Sequence, residues 1–158
     1  MKLLLIASLA FNLSGACPKQ DLPSLRISVV SQKVFRNRGH HPENNRRVIF
    51  RMVNESGKSV IVYGFRYEGG FDPTGYLIAL DKSTGEWAYP TGDNRPISWS
   101  EQSREFKSTQ VLSPGKSLTF DAEMSVLEAG GSFKRTVYAS FRRNDEPCEV
   151  RSEEFVLK

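Results

Sequence analysis

The chain of 158 residues holds only two cysteines and two histidines, and each scarcity excludes chemistry. His40 and His41 stand side by side before Pro42 and Glu43. Neighbouring side chains on an extended segment point apart, and a structural zinc site wants four converging ligands. The segment therefore reads as a solvated loop, and no metal or other cofactor is expected. A Ser-His-Asp or Cys-His arrangement would have to recruit this same loop, and the sequence has no Gly-x-Ser-x-Gly elbow to meet it. Two Gly-Lys-Ser triplets, at 57–59 and 115–117, mimic the end of a phosphate-binding loop. The glycine such a loop needs five residues earlier is replaced by Met52 and Gln110, so both triplets read as β-turns.

Charge of one sign is also missing. Lysines and arginines number 22 against 18 acidic residues, a net charge of +4, scattered rather than gathered into a basic stripe with interleaved aromatics. No nucleic-acid partner is expected. Beyond the N-terminus there is no long apolar run, whereas a bilayer-spanning helix takes about 20 residues.

The N-terminus itself is informative. Met1-Lys2 precedes an apolar run from Leu3 to Leu13, and Ser14-Gly15-Ala16 supplies the small residues a signal peptidase reads. Residues 1–16 are expected to be a signal peptide, residues 17–24 a proline-containing tether, and residues 25–158 one domain. Removing 1–16 takes away Lys2 alone and leaves a charge of +3 in place of +4.

From Leu25 onward the dominant period is two. Leu25, Ile27 and Val29 alternate with polar residues, as do Val48, Phe50 and Met52. Ile61, Tyr63, Phe65 and Tyr67 form one set on a third strand, with Val62, Gly64 and Arg66 between them. Leu118, Phe120, Ala122 and Met124 against Thr119, Asp121 and Glu123 give the clearest apolar-in, polar-out pattern. Turn residues fall between the runs: Asn54–Gly57, Asp81–Gly85, Ser113–Lys116 and Asn144–Pro147. With no βαβ alternation, the reading is all-β, an antiparallel β-sandwich of about 7–9 strands.

Other candidate features are fewer. Trp99 lies in the long connection from Pro90 to Glu105; with Tyr89 and Arg95 it is the candidate partner-binding group, an exposed aromatic suited to stacking on a sugar or anchoring a protein. Trp87 is expected to pack within its strand. Asp121 with Glu123, and Glu149 with Glu153 and Glu154, are carboxylate clusters without a sign of the burial that a glycosidase acid requires. Lys134, Arg135, Arg142 and Arg143 are expected either as a basic patch at one end of the sandwich or as a solvated strand end. Asn54-Glu55-Ser56 is an N-glycosylation sequon in a eukaryotic setting.

The stretches FRMVNESGKSVIVYGF (50–65), GEWAYP (85–90), LSPGKSLTFDAEM (112–124) and VYASFRRNDEPCEVRSEEF (137–155) resemble small exported bacterial Ig-like or fibronectin III-like domains. The resemblance implies an Ig-like or fibronectin III-like sandwich and no particular activity. Leu13-Ser14-Gly15-Ala16-Cys17 resembles the lipobox of bacterial lipoproteins, with Ser14 where leucine is usual. That resemblance implies lipid attachment at Cys17. The even cysteine count instead favours a Cys17–Cys148 disulfide, which would stabilise the fold by about 4–5 kcal/mol in the chain-entropy model. An acylated Cys17 has no free thiol, so the two exclude each other.

The expectation is an exported, membrane-tethered, non-enzymatic binding or structural module of the bacterial cell envelope. Its partner is expected to be an envelope protein or polysaccharide. A soluble secreted or periplasmic proteinase-inhibitor-like sandwich, with the 90–105 or 68–75 loop exposed, is the alternative. A hydrolase using His40 or His41 is the third.

Overall fold

The computed structural model describes residues 24–34, 45–88, 108–125, 131–143 and 145–157. Among them are eleven β-strands and no helix. In chain order they are β1 (Leu25–Val34), β2 (Asn45–Asn54), β3 (Val60–Tyr67), β4 (Gly70–Pro73), β5 (Leu77–Leu80), β6 (Trp87–Ala88), β7 (Ser108–Leu112), β8 (Ser117–Ser125), β9 (Ser132–Ser140), β10 (Cys148–Arg151) and β11 (Phe155–Val156). All pairings are antiparallel. The strand count exceeds the expected one because long apolar runs are split: Ser152–Glu154 separates β10 from β11, and the 68–75 segment contains β4.

One sheet has three strands in the order β1-β2-β8, and the other is built around β3 and β9. Along one edge, β9 meets β3 and β5; along the other it meets β10 and β11. The chain from β4 to β5 changes partner part-way, pairing first with β3 and then with β9. Thr74 and Tyr76 carry this crossing, since Thr74 N–H donates to the Tyr63 carbonyl at 2.9 Å and Thr136 N–H to the Tyr76 carbonyl at 2.8 Å. Gly75 sits where the two backbones touch: a Cβ there would lie 1.8 Å from the Thr136 carbonyl oxygen. Only glycine fits so close an approach.

The inner faces of the two sheets share one core that includes Ile27, Val48, Phe50, Met52, Val60, Val62, Phe71, Phe120, Phe133 and Val137. Phe50 stacks on Phe120 with centroids 5.4 Å apart and meets Phe155 edge-on at 5.4 Å. Such aromatic pairs add about 0.5–1.5 kcal/mol each beyond the area they bury. The alternation on β1, β2 and β8 is as expected, with a register shift between Val29 and Ser31 that leaves Val30 exposed.

Strand β3 differs. Val60 and Val62 fill the core, while Phe65 and Tyr67 stand exposed. Both faces of this strand are apolar, so alternation alone does not decide which turns inward.

Turn chemistry follows the sequence. Lys116 N–H closes on the Ser113 carbonyl at 3.0 Å around Gly115, whose φ of 72° only glycine adopts freely. Asn54 is a buried staple rather than a glycan acceptor. Its Nδ2 donates to the Leu112 and Lys58 carbonyls at 2.7 and 2.9 Å, and its Oδ1 accepts from Ser56 N–H at 2.9 Å. No helix among the described residues is long and apolar enough to cross a membrane.

Candidate functional site

Strand β9 places Phe133, Arg135 and Val137 on one parity, and the two apolar members enter the core. Arg135 goes with them and is only 8% exposed. Its Nη2 donates to the Pro73 carbonyl at 3.0 Å, and its backbone N–H donates to Ser152 Oγ at 2.9 Å. Nε is buried with no hydrogen-bond partner. Burial pulls the guanidinium pKa down to about 10, and the charge of Asp72 partly opposes this. The cause is desolvation: a cation in a poorly polarisable setting loses its hydration.

Arg135 lines an open cleft of about 500 Å³ between the edge strand β8 and the β3–β4 hairpin. Phe120 and Ala122 supply apolar wall, Tyr67 an aromatic ring, and Asp72, Asp121 and Glu123 carboxylates. Asp72 Oδ1 is buried and also lacks a hydrogen-bond partner. Burial raises the Asp72 pKa above the ordinary carboxylate value; Arg135 counteracts this and Asp121 adds to it. No direct ion pair joins Asp72 to Arg135 among the described residues. The two charges therefore share one cleft, each with an unsatisfied polar atom.

Asp121 and Glu123 are occupied differently. Arg47, opposite Glu123 in the β2–β8 register, reaches Glu123 Oε1 with Nη2 at 2.6 Å and Asp121 Oδ2 with Nε at 3.3 Å. The Glu123 hydrogen bond is the main cause holding the Arg47 pKa above its usual value. Tyr67 is positioned by the glycine opposite it: a Cβ on Gly70 would lie 2.6 Å from the Tyr67 hydroxyl, so the ring lies back over the bare backbone of the hairpin.

Cys148 is disulfide-bonded. The only other cysteine in the sequence, Cys17, lies outside the described residues, as do His40, His41, Tyr89, Arg95 and Trp99. The basic cluster does not form. Lys134 sits over the Trp87 ring at 4.2 Å, Arg135 is buried, and Arg142 and Arg143 are exposed beyond the far end of β9. At ~3.3 Å per residue, β9 separates Lys134 from Arg142 by about 25 Å.

Glu149 accepts from the Tyr76 hydroxyl and pairs with Arg151 at 2.8 Å, while Glu153 and Glu154 are exposed. The 68–75 segment does not project as an inhibitory loop, because Phe71 enters the core and Pro73 is buried in β4. Both Gly-Lys-Ser triplets fall at turns between strands, and each connection, β2 to β3 and β7 to β8, crosses from one sheet to the other rather than closing a hairpin. Among the described residues, no group of three His, Cys, Asp or Glu side chains stands close enough to hold a metal ion.

The sequence reading missed the cleft. Its one signal was a charged residue, Arg135, at the inward parity of an otherwise apolar strand.

No protein-family model matches the chain, and no curated protein does. Among solved structures, the chain is similar to a Bordetella pertussis protein designated ApaA at 15% identity, over 87% of this chain and 94% of that one, with a TM-score of 0.49. It is also similar to a structural-genomics target at 13% identity, over 84% of each chain, with a TM-score of 0.48.

Proposed function

We propose that the protein is an exported, non-enzymatic binding module of the cell envelope whose recognition site is the cleft lined by Arg135 and Asp72. The observation that carries this reading is the open cleft of about 500 Å³ that brings the inward-turned Arg135 together with Asp72 and the exposed ring of Tyr67.

Export is supported by the apolar Leu3–Leu13 run and by the Cys148 disulfide, a bond that persists in oxidising compartments. The bond favours a Cys17–Cys148 bridge over lipid attachment at Cys17, since acylation consumes the Cys17 thiol and leaves Cys148 to bond a second molecule. The non-enzymatic reading is supported by Asp121 and Glu123, which are exposed and both engaged in ion pairs with Arg47.

An Ig-like or fibronectin III-like topology is part of the proposal. It is supported by the pairing order: β1, β2 and β8 stand as strands A, B and E, while β9 lies between β3 and β10 as F lies between C and G.

The experiment is sedimentation of the full chain with envelope material isolated from its native host, without reductant. Saturable retention that Asp72→Asn abolishes supports the reading. Retention unaffected by Asp72→Asn, or none at all, overturns it. An intact mass two units below that of the reduced chain establishes the bridge, and added acyl groups would establish the anchor in its place.

A further inference from the structure

We propose that the cleft takes an extended peptide segment of a partner protein, basic at alternate positions, which adds to the open edge of β8 as a further strand of the β1-β2-β8 sheet. The inference rests on the binding-module reading above and names the partner's chemistry.

The lining shows which part of β8 the cleft follows. Phe120, Asp121, Ala122 and Glu123 are consecutive, and all four line it. Side chains alternate between the two faces of a strand, so a cleft lying over one face would meet every second residue. Four in succession mark a cleft that runs along the strand's edge. Among the described residues β8 pairs with β2 alone, so its other edge presents backbone N–H and C=O groups to the cleft with no ladder opposite them.

The geometry of that edge suits an added strand. β8 runs for nine residues without a proline and keeps an unbroken register with β2 from Ser117 to Ser125. The other edge of the same sheet, β1, is interrupted by the register shift between Val29 and Ser31. Such bulges blunt an edge against strand addition, and β8 has none. Tyr67 and Asp72 of the β3–β4 hairpin, with Arg135 of β9, form the second wall of the cleft. A strand laid along β8 is therefore bordered on both sides.

Charge chooses the occupant. Three carboxylates, Asp72, Asp121 and Glu123, line the cleft against two guanidiniums, Arg135 on the lining and Arg47 at the rim. The excess is negative. Both Arg47 ion pairs are solvent-exposed, a kind worth little, so Asp121 and Glu123 can take a further cation without a large loss. These two residues stand on one face of β8, two positions apart, and basic side chains at alternate positions of an added strand come opposite them. Opposite charges so placed across a ladder attract. The intervening residues turn to the side of Phe120 and Ala122, where apolar side chains fit.

The same carboxylates disfavour a second copy of this chain. An antiparallel pairing of two β8 edges centred on Asp121 or on Ala122 sets Asp121 opposite the copy's Asp121 or Glu123. Like charges directly opposite are destabilising.

The test is calorimetric titration of the full chain, with its disulfide intact, against three synthetic heptapeptides. One alternates lysine with valine, one alternates glutamate with valine, and the third is the lysine–valine peptide N-methylated at every residue. N-methylation keeps the charge and the side chains and removes the backbone donors. Saturable binding of the first peptide alone is expected. Asp121→Asn together with Glu123→Gln should weaken it on the order of tenfold. The same charge change at the exposed Glu153 and Glu154 should leave it as it is. Amide hydrogen exchange adds a readout that charge attraction alone does not move: the β8 amides that face away from β2 exchange fast in the free protein and become protected when the peptide is bound.

Equal binding of the glutamate–valine peptide overturns the charge selection. Equal binding of the N-methylated peptide, or β8 amides left unprotected, overturns strand addition, and if no peptide binds the proposal fails. Self-association of the free chain that the double variant strengthens assigns the edge to a second copy and overturns the partner class. Envelope retention through the cleft without peptide binding sinks the partner class and spares the binding module. Peptide binding without envelope retention upholds strand addition and sinks the envelope reading.

Discussion

Arg135 donates from Nη2 to the carbonyl of Pro73 at 3.0 Å. This bond fastens the inward face of β9 to the end of β4. It orients the guanidinium so that one nitrogen is spent on the fold, while Nε remains unpartnered beside the cleft. The arginine thus ties two strands together with one group while the residue lines the cleft.

Asp72 carries a stability cost. Because burial raises its pKa, the folded state binds this proton more tightly than the unfolded chain does. Stability is then lost as pH rises from the ordinary carboxylate value through the raised one. Asp72→Asn, which mimics the protonated form, should unfold at a higher temperature than the parent at pH 7. The gap should close as pH falls below the ordinary carboxylate value of 3.8. Paired thermal melts across pH check this, and a gap independent of pH contradicts it.

Asn54 should be sensitive to any change. Asn54→Ala removes the Nδ2 donor to Leu112 and Lys58 and the Oδ1 acceptor for Ser56. Each buried group left unsatisfied costs about 1–3 kcal/mol. Asn54→Asp keeps the acceptor but turns a carboxylate toward two carbonyls, so it should not rescue. Urea denaturation midpoints of both variants measure the loss.

Two glycines should behave in opposite ways. Gly75→Ala forces a Cβ to within 1.8 Å of the Thr136 carbonyl and should cost about 1–3 kcal/mol or more by disrupting the β4–β5 crossing. Gly57→Ala meets nothing within 4 Å and should change stability little. Equal effects in the two variants would show that the crossing is not tight.

The aromatic core predicts coupling. Phe50→Ala should cost about 3–5 kcal/mol. Because Phe50 touches Phe155 at 5.4 Å, the double variant should fall short of the sum of the two single losses. A double-mutant cycle in urea gives the coupling, and strict additivity would separate the two rings energetically.

Most of the fold was legible because period-two alternation marks strands with one dry face. Val48, Phe50 and Met52 lie fully buried where the pattern places them, and the turn at Ser113–Lys116 takes the geometry its Pro-Gly pair dictates. The face of β3 was not legible, since Val60 and Val62 compete with Tyr63 and Phe65 for the core and only tertiary packing chooses between them. The cleft was hidden for a different reason. Asp72 and Arg135 are far apart in sequence and meet only through the change of partner between β4 and β5, which no local pattern announces. Of the two readings of the basic residues around β9, the solvated strand end holds for Arg142 and Arg143, and the patch does not form because Lys134 lies on Trp87 and Arg135 turns inward.

The most direct measurement is the side-chain Nε–H resonance of Arg135 by proton–nitrogen NMR, recorded on the full chain alone and with retained envelope material. The account predicts a resonance already protected from water in the free protein, as burial requires, and shifted when the cleft is filled. A resonance unmoved by material that the protein demonstrably retains would contradict the claim that the Arg135 cleft is the recognition site.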